Sequence, residues 1–319
     1  MTTPAESFAS GRRRPARRRV DGVVLLDKPE GLSSNQALQR VRHVLAAEKA
    51  GHAGTLDPLA TGMLPLCFGQ ATKACGIVLG SRKAYRARLR LGARTDTGDA
   101  QGTVVSRAAV PALDVGTVRG LLAGLEGSGN QIPPMVSALK HHGERLYELA
   151  RRGESVPRAA RRIELYRLEL VALEGQDIVF DVECSKGTYV RVLAEDVAAR
   201  LGTVGHLAAL RRLWVAPFES HSMITLEEIT AWRDERGTGH GNPAWLRPVD
   251  CALAGLARVD LGPIDSAAIR HGRTVPSDDR LPVGITVCAY DTDGGLLALL
   301  EVAPDRRLRV VRLLAGATE

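Results

Sequence analysis

Gly51-His52-Ala53-Gly54-Thr55-Leu56-Asp57-Pro58-Leu59-Ala60-Thr61-Gly62 is a loop stiffened by three glycines and a proline. It holds one carboxylate, Asp57, between the apolar neighbours Leu56 and Leu59. A partly desolvated carboxylate on a rigid loop suits nucleophilic or acid–base chemistry. Asp-Pro is also ordinary turn chemistry, and by spacing alone the turn is the commoner explanation. The surroundings of the stretch have to decide.

Upstream, Val20 to Leu26 is a short apolar run, and Asp27-Lys28-Pro29-Glu30-Gly31 reads as a turn. Ser33-Ser34 can cap a helix whose Ala37, Leu38, Val41, Val44 and Leu45 recur at helical spacing until Gly51. Downstream the period switches to two: Tyr85, Ala87, Leu89 and Leu91 share one face and Arg86, Arg88 and Arg90 the other. That pattern predicts a half-buried strand with a basic outer face. Leu113 to Leu125 reads as a helix capped by Asp114, and Ile163 to Val171 and Ile178 to Cys184 read as strands. After a turn at Lys186-Gly187, Thr188 to Arg191 reads as extended and Val192 to Leu201 as helical. Strands and helices do not alternate regularly, so the pattern predicts an α+β domain rather than a doubly wound parallel sheet. Gly, His and Pro cluster in Arg233 to Pro248, read as a linker. Beyond it, Ile285 to Tyr290 and Leu296 to Val302 flank Asp293-Gly294-Gly295 as a hairpin, with Leu308 to Leu314 as a third strand of a small all-β module.

With 319 residues, 45% hydrophobic and 25% charged, the chain can bury a sizeable core and divide into about two domains. No apolar run approaches the roughly 18 residues of a membrane span. Met1 to Arg19 lacks the apolar core of a secretory signal. Five scattered cysteines without a C-x-x-C pair argue against a disulfide framework or structural zinc, and for a reducing cytoplasm. The net charge of +7 suggests a nucleic-acid partner, but its distribution is uneven. Residues 1–20 hold six arginines against Glu6, a local +5, on a tail expected to stay unfolded. Residues 251–319 hold eight arginines against nine acidic residues, a local −1.

No phosphate-binding loop, dinucleotide fingerprint, H-E-x-x-H or G-x-S-x-G is present. The opening stretch, continued through Met63-Leu64, closely resembles the catalytic motif of the TruB family of tRNA pseudouridine synthases. Further blocks resemble that family in its own order. They are Lys28-Pro29-x-Gly31-x-Ser33-Ser34, Lys83-x-Tyr85, Arg94-Thr95-Asp96-Thr97-x-Asp99, and Gln131-Ile132-Pro133-Pro134 with Ser137-Ala138-Leu139-Lys140. Gly143-x-Arg145-x-Tyr147-x-x-Ala150-Arg151, Cys184-Ser185-Lys186-Gly187-Thr188-Tyr189-Val190-Arg191 and Leu207-x-x-Leu210-Arg211-Arg212 complete the series. The resemblance spans roughly residues 22–220, and collinear blocks are far more specific than any one of them.

The resemblance implies a catalytic domain over 21–246, built on a bent, mixed, mainly antiparallel sheet flanked by helices, with an RNA-binding insertion at about 124–152. It also implies a small PUA-like β-barrel over 247–319. The implied reaction isomerises uridine 55 in the T-loop of tRNA by base flipping. Asp57 would be the essential aspartate, ionised beside Arg191, because a neighbouring guanidinium favours a carboxylate. Read as extended, Tyr189 and Arg191 share a face, so one strand would offer ring and charge together. Tyr85 would stack on the extruded uracil. Leu210 would meet the base edge through its backbone, and His52 would fill the space that the flipped base leaves. Lys28, Lys140, Arg145 and Arg151 are further candidates for substrate binding. Residues 140–162 carry a local +4, the expected source of phosphate contacts together with exposed arginines of the motif-bearing strands. No cofactor, metal, membrane or obligatory protein partner is implied, and a cytoplasmic monomer is expected. Two positions depart from the family pattern: Val136 where an aromatic is usual, and Asp27 where asparagine is common. A non-catalytic tRNA-binding or tRNA-folding protein, and a synthase acting on ribosomal RNA, stay open as alternatives.

Overall fold

Side chains alternate across a strand, so a strand buried on both faces is apolar throughout, and one buried on a single face alternates. Both kinds occur in one sheet here. The computed structural model describes residues 17–137, 139–237 and 241–314. Its main element is an eight-stranded sheet. In chain order the strands are β1 (Gly22–Lys28), β2 (Ala50–His52), β3 (Thr61–Phe68), β4 (Lys83–Leu91), β5 (Gly127–Gln131), β6 (Arg161–Glu174), β7 (Asp177–Cys184) and β8 (Gly205–Val215). They lie in the order β1-β3-β8-β4-β7-β6-β5, with β2 paired to β3. Pairing is antiparallel except for β3 with β8, where Thr61 and Gly62 run parallel to Arg211 and Arg212.

One face carries α1 (Ser34–Val44), α3 (Val115–Ala123) and α5 (Val190–Arg200). Ala37, Leu38 and Val41 of α1, Val118 and Leu122 of α3, and Leu193 and Val197 of α5 meet Leu64, Leu66, Ala87, Leu89 and Phe180 in one core. The helix starts follow from their caps. Ser33 accepts from the Gln36 amide at 3.2 Å while Gln36 accepts from the Ser33 amide at 2.9 Å, and Asp114 accepts from the Thr117 amide at 2.9 Å. The other face is covered at one end only. Val23 and Leu25 of β1 and Met63 and Cys67 of β3 pack there with Val78 of α2 (Cys75–Gly80) and with Cys288, Tyr290 and Leu299 of a second sheet. Hence β1 is apolar from Gly22 to Leu26 and β3 from Gly62 to Phe68, whereas β4 alternates and turns Arg86, Arg88 and Arg90 outward.

The second sheet has five strands: β9 (Ala257–Asp260), β10 (Val275–Pro276), β11 (Thr286–Tyr290), β12 (Leu296–Val302) and β13 (Arg307–Leu313), in the order β9-β11-β12-β13-β10. The expected hairpin and third strand are β11, β12 and β13. The unit is not all-β, because a helix, α7 (Pro263–Arg270), buries Ser266 and Ile269 against it. A proline in the first turn pre-sets that helix, a cue the sequence reading passed over.

Two other expectations change. The span read as a linker begins inside α6 (Leu226–Arg236) and ends pinned to β1, where Val23 and Arg247 exchange amide–carbonyl bonds of 2.9 and 2.8 Å. Of the tail, residues 1–16 lie outside the described residues. Arg18 is held: its amide donates to Ala46, and its guanidinium donates to the Leu45 carbonyl at 3.1 Å. Among the described residues no helix is long and apolar enough to cross a membrane.

Candidate active site

The Asp57 loop is fixed from below by a buried ammonium. Lys28, fully buried at the end of β1, donates to the carbonyls of Pro29 at 2.8 Å, Leu32 at 2.7 Å and Pro58 at 3.4 Å. Burial pulls its pKa down to about 8, against the attraction of Asp57. Ser34 ties the same loop through Leu56, accepting from its amide at 2.8 Å and donating to its carbonyl at 3.1 Å. Lys28 therefore clamps the turn to the loop, and its depth leaves no surface for the substrate contact expected of it.

From the other side the loop rests on Arg212 of β8, which is 1% exposed. Its guanidinium donates to Met63 at 2.6 Å and to Gly54 at 3.1 Å. Gly62 shows why the approach is so close: it has φ +94°, and a Cβ there would lie 2.2 Å from the Arg212 carbonyl oxygen. Only glycine fits that crossing.

Asp57 projects from this frame to Arg191, with Nε 3.0 Å from the carboxylate. Arg191 is 4% exposed, and its remaining nitrogens donate to the carbonyls of Thr97 and Val136, each at 2.7 Å. Its Nε also lies 3.9 Å from Asp99, a buried carboxylate that accepts from Thr97 at 2.7 Å and from the Gln101 amide at 3.1 Å. One guanidinium thus ties together the Asp57 loop, the 95–99 turn and the segment before Ser137. Because the Val136 contact runs through the backbone carbonyl, it does not depend on an aromatic side chain there. Asp27, the other departure, forms a two-pronged pair with Arg211 at 2.7 and 3.0 Å.

Burial pushes the Asp57 carboxyl above its ordinary range, Arg191 opposes that rise, and Asp99 adds to it. Arg191 moderates the cost of the charge without cancelling it. The side chain itself remains 40% exposed, on the wall between two spaces. On one side is a cleft of about 380 Å³ lined by Tyr85, Lys83, Leu210, Tyr189, Arg191 and Arg212. On the other is an open groove of about 1030 Å³ that includes His52, Ser33, Tyr147, Arg145 and Arg151. Tyr85 is buried, and burial holds its phenol above the ordinary value. Burial likewise lowers His52, whose Nδ1 has no hydrogen-bond partner among the described residues.

The structure brings Asp57, Tyr85, Arg191, Tyr189 and Leu210 to one cleft, and His52, Arg145 and Arg151 to the adjoining groove. Lys140 is exposed on a short hairpin and lines neither space, and Ala138 beside it lies outside the described residues. The expected strand over Thr188 to Arg191 is overturned. Tyr189 is the N-cap of α5 and Arg191 stands in its first turn. The cause lies 58 residues upstream, where the Gln131 side chain accepts from the Tyr189 amide at 2.7 Å and donates to its carbonyl at 3.1 Å. Arg212, Asp99 and Gln131 received no role from the sequence, although each sits in a quoted motif. Arg212 and Gln131 bond backbone groups of other motifs, and Asp99 faces the distant Arg191, pairings that no local spacing displays. Among the described residues no group of three or more His, Cys, Asp or Glu side chains is placed to hold a metal ion.

A mixed sheet carrying one clamped aspartate on the wall of a cleft is an architecture that recurs in known proteins. The fold agrees with the protein in "Crystal Structure of a Cbf5-Nop10-Gar1 Complex", with a TM-score of 0.72 at 25% identity over 92% of this chain and 85% of that one. It also agrees with "Structure of H/ACA RNP bound to a substrate RNA containing 2'-deoxyuridine", with a TM-score of 0.71 at 22% identity over 93% of this chain and 86% of that one. Residues 42–190 match the TruB family pseudouridylate synthase N-terminal domain, and 191–254 the tRNA pseudouridylate synthase B C-terminal domain. The tRNA pseudouridine synthase B of Chromohalobacter salexigens is 45% identical over 93% of this chain and 99% of its own. That of Hydrogenovibrio crunogenus is 44% identical over 91% and 92%. The chain belongs to the TruB family of pseudouridylate synthases.

Proposed function

We infer that the protein isomerises uridine 55 in the T-loop of tRNA to pseudouridine without a cofactor. The observation that carries this reading is the Asp57 carboxylate, held 3.0 Å from buried Arg191 on the wall shared by a smaller cleft and a larger groove. A flipped base needs such a pair of spaces, one for the base and one for the strand it leaves.

The reaction breaks the N1–C1′ bond, turns the uracil and joins C5 to C1′, while the C5 proton leaves and N1 gains one. Hydrolytic glycosidases use a second carboxylate to handle water. Here water must stay out, and one carboxylate suffices. Asp57 acts on the nucleotide in its ionised form, with Arg191 holding both its charge and its direction. Tyr85 and Tyr189 face the base, Leu210 borders its edge, and the Tyr85 hydroxyl assists removal of the C5 proton. His52 fills the gap left in the RNA. Arg145 and Arg151 in the groove, and Lys140 beyond it, meet phosphates. Lys28 is a positioning residue.

Residues 21–246 act as the catalytic domain, with the insertion at 124–152, and 247–319 as a PUA-like RNA-binding unit. The protein works as a cytoplasmic monomer. Incubating it alone with an unmodified tRNA transcript and mapping pseudouridine tests the reading. Product at position 55, absent with Asp57→Asn, supports it; no product at that position overturns it.

A further inference from the structure

Four of the five cysteines gather away from the cleft, in the core between the two sheets: Cys67 of β3, Cys75 at the start of α2, Cys251, and Cys288 of β11. Two of them are opposed. Cys67 is the cross-strand partner of Gly51, and a Cβ built on Gly51 would lie 3.6 Å from the Cys75 sulfur. Side chains directly opposite across an antiparallel pair share a face with Cβ atoms about 5 Å apart. The Cys75 sulfur therefore sits over the face from which Cys67 projects, within reach of where a side chain at position 51 would stand. Cys75 is half-buried, whereas Cys67 is fully buried.

We propose that Cys75 and Cys67 form an oxidisable thiol pair, in which a hydroperoxide oxidises Cys75 and Cys67 resolves it to a disulfide. The pair's electrostatics agree with this division of labour. The neighbouring Cys67 thiol and the Lys49 charge hold Cys75 below its ordinary pKa against the effect of burial. The same contact and burial push Cys67 up. Burial raises Cys184, Cys251 and Cys288 to about 11, so they are protonated and inert by comparison.

The chemistry closes with hydrogen peroxide as the only co-reactant. The Cys75 thiolate attacks one peroxide oxygen; an S–O bond forms, the O–O bond breaks, and the departing hydroxide takes up a proton as water. Cys67 then attacks the Cys75 sulfur; the S–S bond forms, the S–O bond breaks, and the leaving hydroxide takes the Cys67 proton as a second water. Two thiols lose two electrons and peroxide gains them. The disulfide ties the end of β3 to the start of α2, the helix that carries Leu79 to the edge of the base cleft.

Trypsin makes the test direct, because Lys73 separates the two cysteines. The folded wild-type protein is treated with stoichiometric hydrogen peroxide, alkylated and digested. The peptides Ala50–Lys73 and Ala74–Arg82 should be recovered joined, separating on reduction, while Cys184, Cys251 and Cys288 remain alkylated and react at least about tenfold more slowly. In Cys67→Ala, Cys75 should be trapped as a sulfenic acid that dimedone labels; in Cys75→Ser, Cys67 should stay reduced. If all five thiols survive conditions that oxidise an added cysteine peptide, or if the cross-link involves Cys251 instead, the proposal is wrong.

Discussion

Arg86, Arg88 and Arg90 project from the solvent face of β4 into carboxylates, at 2.8 Å to Asp181, 2.7 Å to Glu174 and 2.8 Å to Asp177. Arg191 and Arg212, one in the first turn of α5 and one on β8, are buried and spend most of their donors on backbone carbonyls. The first group forms a basic face that was expected to share RNA contacts with residues 140–162. Its cations already stand in a ladder with acidic partners, so they offer phosphates little uncompensated charge. The second group is where each cation fixes the shape of a loop that ends in Asp57. In this protein arginine depth separates surface pairing from site construction. The cations that line the groove belong to neither group. Arg145 and Arg151 line the groove, and among the described residues neither joins an ion pair, whereas Arg152 is taken up by Glu144 and Glu154.

The largest effect should come from the residue that the buried arginines exist to hold. Asp57→Asn should lower single-turnover pseudouridine formation by at least about 10³-fold, as loss of an acid–base or nucleophilic group does. Affinity for tRNA should stay within about threefold, measured by filter binding. A variant that turns over normally would remove the reason for reading Arg191 and Arg212 as site-builders.

Arg191→Gln comes next, at about 10²-fold or more in rate, because it leaves Asp57 beside Asp99 without a cation and two carbonyls short of their donor. It also carries a pH test. The Asp57 carboxyl titrates above its ordinary value, and activity requires the carboxylate, so activity falls as pH drops through that raised value. Arg191 is the main influence holding the value down, so its removal should shift the acid limb of the rate profile to higher pH. A limb that stays in place would mean that Arg191 acts only through structure.

Smaller effects separate the groove from both arginine groups. Arg145→Ala and Arg151→Ala should each weaken tRNA binding by about 1 kcal/mol and reduce the salt slope of affinity by about 1. At saturating tRNA the single-turnover rate should be unchanged. An equal loss of affinity on deleting residues 1–16 would move the RNA contact to the tail.

How much of this could be read in the sequence depended on whether a residue's partner was near or far along the chain. The alternation of Tyr85 to Leu91, the Ser33 cap and the Asp114 cap are local, and the structure has them where the pattern put them. The Asp57 loop was legible through its glycines and through its resemblance to a known motif. Arg191 was assigned to the wrong element, since the Gln131 side chain that organises the α5 start comes from 58 residues away. Lys28 was a candidate for substrate binding; carbonyls from two segments, Pro29 and Leu32 in one and Pro58 in the other, take up its ammonium instead. The screening of the β4 arginines needed the register with β7, which sets Asp181 opposite Arg86 and Asp177 opposite Arg90.

That register gives the smallest effect and the sharpest check on the comparison. Arg88 is 37% exposed and shares Asp177 with Arg90, so Arg88→Ala should lower stability only slightly in urea denaturation, and less still in high salt. The pairing holds Asp177 below its ordinary pKa, so its contribution is present above the unfolded value and is lost as pH falls through the folded one. Affinity for tRNA should change less than twofold, in contrast to Arg145→Ala. A loss matching that of Arg145→Ala would show that phosphates compete with Asp177 and Glu174 for the ladder. Pairing with carboxylates would then be no barrier to RNA contact, and depth rather than partnership would alone distinguish the two groups of arginines.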